Sequence, residues 1–258
     1  MSAQRFQGKV AVVTGGSDGI GRATAVMLAR EGAKVAICAR GQEKLDQTAA
    51  EIRKAGGEVL AVSADMFKPA DIDRFFDAVI KQFGGIDILL NNAGTSQRGN
   101  FLDIDDQKWR DDIELKVFGA IRCTRRAIPE MRKRGGGRII NITISSAKQP
   151  GAGSMPTSLS RAAGLVLTKS LSKEYAPDNI LVNTVCIGKI KSGQHERRMV
   201  REGRSPEKYY NDESKTIPMQ RFGEAEEAAS AIMFFASSMG SYVTGSSLNL
   251  DGGTSGVL

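Results

Sequence analysis

A glycine-rich turn between an apolar run and a helical pattern constrains the fold of this chain more than any other stretch. The run Val10–Val13 is apolar, the turn Thr14–Gly21 reads T-G-G-S-D-G-I-G, and a helical pattern follows. Gly15 permits a tight turn, and Gly19 and Gly21 remove side chains where other atoms come close. Strand, turn and helix in this order present free backbone N–H groups to a pyrophosphate. The sequence therefore predicts a dinucleotide site, with a purely structural turn as the alternative.

Apolar, β-rich runs alternate with helical patterns along almost the whole chain. This alternation indicates a parallel sheet covered on both faces, so we predict a single doubly wound (Rossmann) α/β domain over residues 1–258. Ligands of such folds bind outside the carboxyl ends of the strands. The predicted strands are Lys9–Thr14, Lys34–Ala39, Glu58–Ser63, Ile86–Asn91, Gly137–Thr143, Ile180–Val185 and Ser246–Leu250. The predicted helices lie near 19–32, 41–56, 69–84, 106–134, 155–177 and 224–238.

Composition excludes several classes of protein. No apolar run approaches the roughly 18–20 residues that a membrane span needs, and the first residues contain no apolar segment typical of a signal peptide. Cys38, Cys123 and Cys186 lie far apart, which indicates reduced core thiols and a cytoplasmic protein. The net charge of +7 suits an anionic ligand, but without interleaved aromatic residues it does not predict a nucleic-acid surface.

The residues that follow the second and third strands bear on the type of dinucleotide and on the contact with its adenine. The second strand ends in Ala39 and Arg40, where a carboxylate would bind a free ribose 2′-hydroxyl. A guanidinium suits a 2′-phosphate instead, so NADP(H) is favoured over NAD(H), with a solvated turn arginine as the alternative. Asp65 is placed to accept from the adenine amino group or, equally, to cap the helix that begins near Pro69.

Several motifs in a fixed order resemble those of the short-chain dehydrogenase/reductase family over essentially the whole chain. They are the turn 14–21, Asp65, N-N-A-G (91–94), Trp109, Asn183, I-G-K-I-K-S (187–192), P-M-Q-R-F-G (218–223) and T-G-S-S-L-N-L-D-G-G (244–253). The resemblance implies a seven-stranded parallel sheet, a nicotinamide cofactor and a homotetramer, with residues 224–250 in one subunit contact. The implied cofactor-binding residues are Gly15, Ser17, Asp18, Gly19, Ile20, Gly21, Arg40, Asp65, Met66, Asn91, Ala93, Gly94, Thr143, Arg161, Ile187, Gly188 and Ile190.

The resemblance also locates the positions of the family's usual Asn-Ser-Tyr-Lys catalytic set. In the family, tyrosine is the acid or base, lysine lowers its pKa and holds the ribose, serine polarises the carbonyl, and asparagine holds a relay water. The spacing of the motifs places these positions at Lys116, Ile144, Thr157 and Arg161. All four residues depart from the pattern, so the chemistry of this site needs its own account.

Threonine cannot replace the tyrosine as a tuned acid, because an aliphatic alcohol lacks the accessible ionisation of a phenol with a pKa of about 10. We predict instead that Lys116 and Arg161 stabilise a developing alkoxide, with the proton supplied by Lys116 or water. The alternative is that Lys116 extends from a solvated helix face and Arg161 only binds ribose. Ser145 joins Lys116, Thr157 and Arg161 as a catalytic candidate if the fifth strand ends early.

The segment 188–214, called here the covering segment, is predicted from the resemblance to cover the substrate. His195, the only histidine, is a candidate proton donor or a solvated residue. Tyr209 and Tyr210 are the nearest phenols, and the sequence does not place them. Four arginines either attract an anionic substrate or form an exposed helix face: Arg197, Arg198, Arg201 and Arg204.

Together these features predict an NADP(H)-dependent oxidoreductase that reduces a carbonyl by hydride transfer with an atypical active site. The expected partners are a small carbonyl or alcohol substrate, with an anionic one left open, and further copies of the chain as a tetramer or dimer. One alternative is a catalytically silent NADP(H)-binding protein that acts as a sensor or assembly partner. A lyase or isomerase that reuses the fold is another.

Overall fold

A single seven-stranded sheet forms the centre of the protein in the computed structural model, which describes residues 4–257. All neighbouring strands are parallel, in the order β3-β2-β1-β4-β5-β6-β7, so the predicted doubly wound α/β fold is confirmed. The strands are β1 (Val10–Thr14), β2 (Lys34–Ala39), β3 (Val59–Ser63), β4 (Ile88–Asn91), β5 (Gly137–Ile144), β6 (Ile180–Ile187) and β7 (Ser247–Leu250).

The strand bounds lie within two residues of the predicted ones. The start of β4 is one difference, because it begins at Ile88 rather than Ile86. Just before this start, the carboxylate of Asp87 accepts from the N–H of Val10 at 2.8 Å, while the backbone N–H of Asp87 donates to the carbonyl of Val10 at 2.9 Å. At the other end of the sheet, β6 extends to Ile187 because it stays paired with β7 as far as Leu250.

Two helical layers cover the sheet, and alternate residues of β1 enter them. Ala11 and Val13 pack with the helices at 19–30, 42–54 and 225–236, whereas Val10 and Val12 pack with those at 69–83 and 119–133. Burying each of the three valine side chains contributes about 1.5–3 kcal/mol. No helix within residues 4–257 combines the length and apolarity required to cross a bilayer. The helices are α1 (Gly19–Arg30), α2 (Gln42–Lys54), α3 (Pro69–Phe83), α4 (Asp106–Ile113), α5 (Gly119–Lys133), α6 (Thr157–Glu174), α7 (Gly193–Glu202), α8 (Pro206–Ser214) and α9 (Ala225–Ala236).

The helix predicted over 106–134 contains an irregular turn. A π-helical segment, Glu114–Phe118, separates α4 from α5, and Leu115 and Lys116 within it are buried. The wider turn changes the register of the side chains that follow, and such turns are frequent at functional sites. It places Lys116 inside the protein, which contradicts the alternative of a lysine on a solvated helix face.

The covering segment contains two helices, α7 and α8, that share a small core. Met199, Tyr209, Ile217 and Phe222 are buried together, and Tyr210 packs against them. Arg204 lies over the ring of Tyr209, 4.8 Å from its centroid. The segment is therefore an ordered helical pair with its own apolar centre.

Candidate active site

Many of the predicted site residues lie where β1, β4, β5 and β6 end, whereas Arg40 and Asp65 follow β2 and β3. The glycine turn follows β1, Asn92–Gly94 follow β4, and Ile187 ends β6. Because β1, β4, β5 and β6 are neighbours in the sheet, these strand ends lie side by side. The first turn of α6, which begins at Thr157, contacts the same region through the hydrogen bond from Gln97 N–H to Thr157 Oγ1 at 2.9 Å.

The glycine turn is a tight cradle at the start of α1. Gly15 has a φ of 68°, and a Cβ placed on Gly21 would overlap the carbonyl oxygen of Gly15. Asp18 caps the helix by accepting from the N–H of Gly19 at 2.7 Å. Within residues 4–257, no backbone carbonyl accepts from the N–H groups of Ile20 or Gly21. This end of α1 therefore offers donors to an anion.

Arg40 and Asp65 lie just beyond the ends of β2 and β3. Arg40 is exposed, and its carbonyl accepts from Ser63 at 3.3 Å. The carboxylate of Asp65 accepts from the N–H of Phe67 at 3.1 Å, whereas the N-cap residue of α3 is Lys68. The expectation that Asp65 caps α3 is therefore wrong, because its side chain closes a local turn before the helix begins.

The amide-rich segment after β4 fastens the strand ends together. Asn92 donates to the carbonyls of Thr14 and Gly15 at 3.0 and 3.1 Å, and the N–H of Ala93 donates to Thr14 Oγ1 at 3.1 Å. Asn91 donates to Asn141 Oδ1 at 2.9 Å. These bonds satisfy buried backbone groups and hold the chain close to the glycine turn.

Lys116 and Thr157 are in direct contact, although 41 residues separate them. Nζ of Lys116 donates to Oγ1 of Thr157 at 2.9 Å and to the carboxylate of Asp112. The side chain of Lys116 is 1% exposed and that of Asp112 is fully buried. Thr157 in turn contacts Asp112 Oδ1 at 3.3 Å, a long hydrogen bond for a hydroxyl donor.

Burial is the main cause of the altered electrostatics of this group. Burial, with the charge of Arg161 next, lowers the pKa of Lys116 to about 8, and Asp112 opposes this change. Burial also lowers the pKa of Arg161 to about 10. Arg161 therefore stays charged near neutrality, whereas Lys116 is an ammonium group that titrates just above it.

Arg161 lies under the segment that follows β4. Its Nη1 donates to the carbonyl of Ile142 at 2.5 Å, and a Cβ placed on Gly94 would overlap its Nη2. Its Nε is enclosed and has no hydrogen-bond partner within residues 4–257. Lys116, Ser160 and Arg161 line one small cavity of about 20 Å³ at the ends of β4 and β5. The structure thus brings the two predicted cations to one place.

The fifth strand extends one residue beyond its predicted end, and Ser145 directly follows it. β5 stops at Ile144, and Ser145 begins a short 3-10 turn, so the strict alternation of side chains no longer applies to it. Thr143 remains inside the strand, where its hydroxyl contacts Cys186 Sγ at 3.1 Å. Ser145 stays a candidate for polarising a carbonyl.

The covering segment contacts both the glycine turn and the segment that follows β4. Gln194 donates to the carbonyl of Gly94 at 3.2 Å, and a Cβ placed on Gly19 would lie 3.1 Å from Cβ of Ser192. The segment therefore bridges the glycine turn and the end of β4.

His195 belongs to the apolar core of the covering segment. Its Nδ1 lies 2.8 Å from the hydroxyl of Tyr209, and its ring packs edge-on against Phe222. Burial, assisted by the charge of Arg198, lowers the pKa of His195 to about 4. The ring is neutral near pH 7, and its Tyr209 and Phe222 contacts indicate a packing role rather than proton donation.

Two of the four covering-segment arginines that suggested an anionic substrate are paired with carboxylates. Arg198 pairs with Glu202 at 2.6 Å, and Arg204 pairs with Asp212 and Glu213 at 3.2 and 3.3 Å. Arg197 and Arg201 are exposed. Arg98, which the sequence analysis missed, is paired by a β-bridge with Pro156 beside Thr157. Burial, followed by the charge of Arg198, lowers the pKa of Arg98.

The comparisons with known proteins bear on this geometry. A family model described as enoyl-(acyl carrier protein) reductase matches residues 15–255. Human dehydrogenase/reductase SDR family member 4 is 35% identical over 247 residues, which cover 95% of this chain and 87% of that protein. The chain belongs to the short-chain dehydrogenase/reductase family. The comparisons support an oxidoreductase of this family as the functional class of the chain.

Two solved short-chain dehydrogenases/reductases have closely similar folds. The L-sorbose reductase of Gluconobacter frateurii, complexed with NADPH and L-sorbose, superposes with a TM-score of 0.93 at 35% identity, covering 99% of both chains. The NADPH-bound short-chain oxidoreductase of Pseudomonas aeruginosa PAO1, described as containing an atypical catalytic center, gives 0.91 at 34% identity, covering 97% of this chain and 98% of that one.

Within this short-chain dehydrogenase/reductase, the structure adds two residues to the candidate set. Asp112 accepts from Lys116, and Ser160 donates to Asp112 Oδ2 at 2.5 Å. Their spacing offered a signal, because Asp112 precedes Lys116 by four residues and Ser160 follows Thr157 by three, so each pair shares a helix face. The roles given to Lys116 and Thr157 remain predictions.

Proposed function

We propose that this chain reduces a carbonyl compound with NADPH and that a Lys116–Thr157 pair supplies the proton. The observation that carries the proposal is the hydrogen bond from Lys116 Nζ to Thr157 Oγ1, at the position where the family resemblance places the catalytic hydroxyl. NADPH-bound relatives of the same fold support the type of cofactor. The preference for NADPH over NADH rests on Arg40.

The residues of the cradle fit a dinucleotide. The unpartnered N–H groups at the start of α1 suit a pyrophosphate, and the exposed Arg40 suits a 2′-phosphate. The guanidinium of Arg161 lies beside Gly94, where ribose hydroxyls are expected, and its enclosed Nε is a donor without an acceptor within residues 4–257. A bound reduced nicotinamide supplies the hydride. The same proposal includes other cofactor contacts that the resemblance implies, among them those of Asp65, Met66, Ile187, Gly188 and Ile190.

In this proposal, the proton that reaches the substrate oxygen comes from the protonated form of Lys116. With its pKa lowered to about 8 by burial, the ammonium is a stronger acid than an ordinary lysine and is still mostly charged at pH 7. The Thr157 hydroxyl passes its proton to the substrate oxygen and receives one from Lys116. Its long 3.3 Å contact with Asp112 leaves that proton weakly held. Lys116 becomes a neutral amine and is reprotonated from solvent.

Charge near the substrate oxygen supplies a second contribution. Arg161 is cationic at neutral pH, and preorganised donors beside a developing alkoxide contribute roughly 3–4 kcal/mol. Arg98 adds a further cation beside the first turn of α6. The excess of positive charge around Thr157 favours a substrate that carries a carboxylate or phosphate.

One observation favours a second candidate function, a silent NADP(H)-binding protein. Thr157 accepts from both Lys116 and the N–H of Gln97, and Asp112 neutralises the Lys116 charge, so the polar groups are already satisfied within the protein. A sensor or an assembly partner binds the cofactor and does not need a residue that donates a proton. Turnover separates the two candidates, because both bind the cofactor.

The test combines binding with turnover. NADPH and NADH are titrated by fluorescence, and NADPH oxidation is then followed by absorbance with matched neutral and carboxylated ketones. We expect tighter binding of NADPH and turnover that favours the carboxylated substrates. Tight binding without turnover on any carbonyl supports the silent protein. Absence of binding to either coenzyme contradicts both.

The proposed setting is a homo-oligomer in the cytoplasm. Large apolar side chains are exposed on two surfaces: Val166 and Leu159 on α6, and Phe234 and Leu248 on α9 and β7. Surfaces of this kind are typical of subunit contacts. The second coincides with residues 224–250, which the resemblance implies in an interface, so a dimer or tetramer is expected in sedimentation experiments.

A further inference from the structure

Asp112 is the point at which the polar groups of α4, the π-helical segment and α6 converge. Its carboxylate accepts from Lys116 Nζ, from Ser160 Oγ at 2.5 Å and from Thr157 Oγ1 at 3.3 Å. Asp112 is 2% exposed. A carboxylate is retained in such a position only when donors surround it, and three do so here.

The contacts of Asp112 determine where the Lys116 ammonium lies. Two of its hydrogen-bond partners are identified, Asp112 on its own helical run and Thr157 on α6. Ser160 holds the other carboxylate oxygen from α6, so Asp112 cannot turn away without losing that bond. The arrangement fixes the distance between the ammonium and the Thr157 hydroxyl.

The charged groups that face Lys116 act in opposite directions. Asp112 on α4 favours its protonated form, whereas Arg161 on α6 and Arg98 on the loop after β4 disfavour it, and burial is the largest cause of its lowered pKa. Removing the Asp112 charge leaves only the influences that favour the neutral amine.

We propose that Asp112 is a positioning residue that keeps Lys116 protonated and hydrogen-bonded to Thr157. The inference rests on the proposed reductase function for its catalytic meaning, but the Asp112–Lys116 relationship is measurable without turnover. Asp112 is not among the residues that line the cavity beside Lys116 and Arg161, and in this proposal it acts through Lys116.

The experiment compares the full-length wild type with Asp112→Asn, and with Asp106→Asn as a matched control on the exposed side of α4. The titration of Lys116 is followed by NMR of isotope-labelled lysine side chains, with the signal assigned through Lys116→Met. The pH profile of kcat/KM for carbonyl reduction is measured in parallel. We expect Asp112→Asn to move the Lys116 titration and the upper pH limb together to lower pH by about one unit or more, with Asp106→Asn unchanged.

An unchanged Lys116 titration in folded Asp112→Asn overturns the proposal. If Asp112→Asn does not fold, the double variant Asp112→Asn/Lys116→Met decides, because removing both partners of a buried pair costs less than removing one. A double variant that folds and binds NADPH like Lys116→Met supports the proposal, and one that stays unfolded overturns it. Failure of every carbonyl to be reduced defeats the proposed function alone, since the NMR titration still tests Asp112.

Discussion

Nζ of Lys116 lies 2.9 Å from Oγ1 of Thr157, within a polar group that connects α6 to the π-helical segment. Thr157 stands at the position where the family resemblance places a tyrosine, and the neighbour of its hydroxyl is the amine of Lys116. In the proposed mechanism, this contact makes a lysine rather than a phenol the source of the proton.

Replacing Lys116 with Met removes the proposed proton source while keeping most of the side-chain volume. We expect kcat to fall by about 10²–10⁴-fold, the usual range for a positioned acid. NADPH affinity stays within about twofold, because Lys116 is not among the proposed cofactor contacts. Steady-state kinetics and fluorescence titration measure the two effects, with exposed Lys108→Met as the control. Equal losses in kcat and in NADPH affinity would indicate a structural defect instead of a lost proton source.

We expect the rate of reduction to depend on pH through Lys116. Burial lowers the pKa of Lys116 to about 8, and the proposed mechanism uses the protonated form, so kcat/KM is expected to be level below pH 8 and to fall as the pH rises through it. For alcohol oxidation the sign reverses, since the neutral amine accepts the proton. A profile for reduction that stays flat well above pH 8 would exclude Lys116 as the donor.

Stability on the acid side depends on His195. Its pKa falls from 6.5 to about 4 on folding, chiefly through burial, so the unfolded chain binds more protons between these values. Stability is therefore fully present above about pH 6.5 and is lost as the pH falls towards 4, by at most about 2–3 kcal/mol. Thermal unfolding across this range measures the loss. His195→Gln is expected to flatten the dependence, and an equally steep variant would remove His195 as its cause.

Arg40 is expected to select between the two coenzymes. Arg40→Ala removes a charge-assisted contact of about 1.5–3 kcal/mol, so NADPH affinity falls about 10–100-fold while NADH affinity changes little. The control is Arg53→Ala, an exposed arginine later on α2. Calorimetric titrations of both coenzymes measure the change, and equal losses for both would separate Arg40 from the 2′-phosphate.

Gly21→Ala tests the tightness of the glycine turn. The added Cβ would overlap the carbonyl oxygen of Gly15, so we expect a loss of about 1–3 kcal/mol in the free energy of unfolding and impaired NADPH binding. Gly41→Ala is the matched control, because no atom lies within 4 Å of its added Cβ. Chemical denaturation compares them, and comparable stabilities would show that the turn accommodates a methyl group.

The sequence alone predicted the architecture well because apolar periodicity is a local property. The strand endings and the glycine turn follow from patterns within a few residues, and the structure reproduces them. The convergence of Lys116 and Arg161 was also anticipated, through the spacing of the family's motifs.

The details of the polar site were harder to predict because they depend on contacts across the fold. Asp112 was missed, since its partners Thr157 and Ser160 are 45 and 48 residues away. The charge state of His195 depends on a core formed with Tyr209 and Phe222, so the sequence alone does not separate a proton donor from a packing residue. Asp65 closes a local turn instead of capping α3, a difference of three residues that propensity does not resolve.

The most direct test of the Lys116–Thr157 account is NADPH oxidation, followed by absorbance, by wild type and Lys116→Met in the presence of a carboxylated ketone. The account predicts turnover by the wild type, and a rate at least about 10²-fold lower in the variant although it still binds NADPH. Equal rates in the two proteins, or NADPH binding with no oxidation on any carbonyl tested, would contradict it.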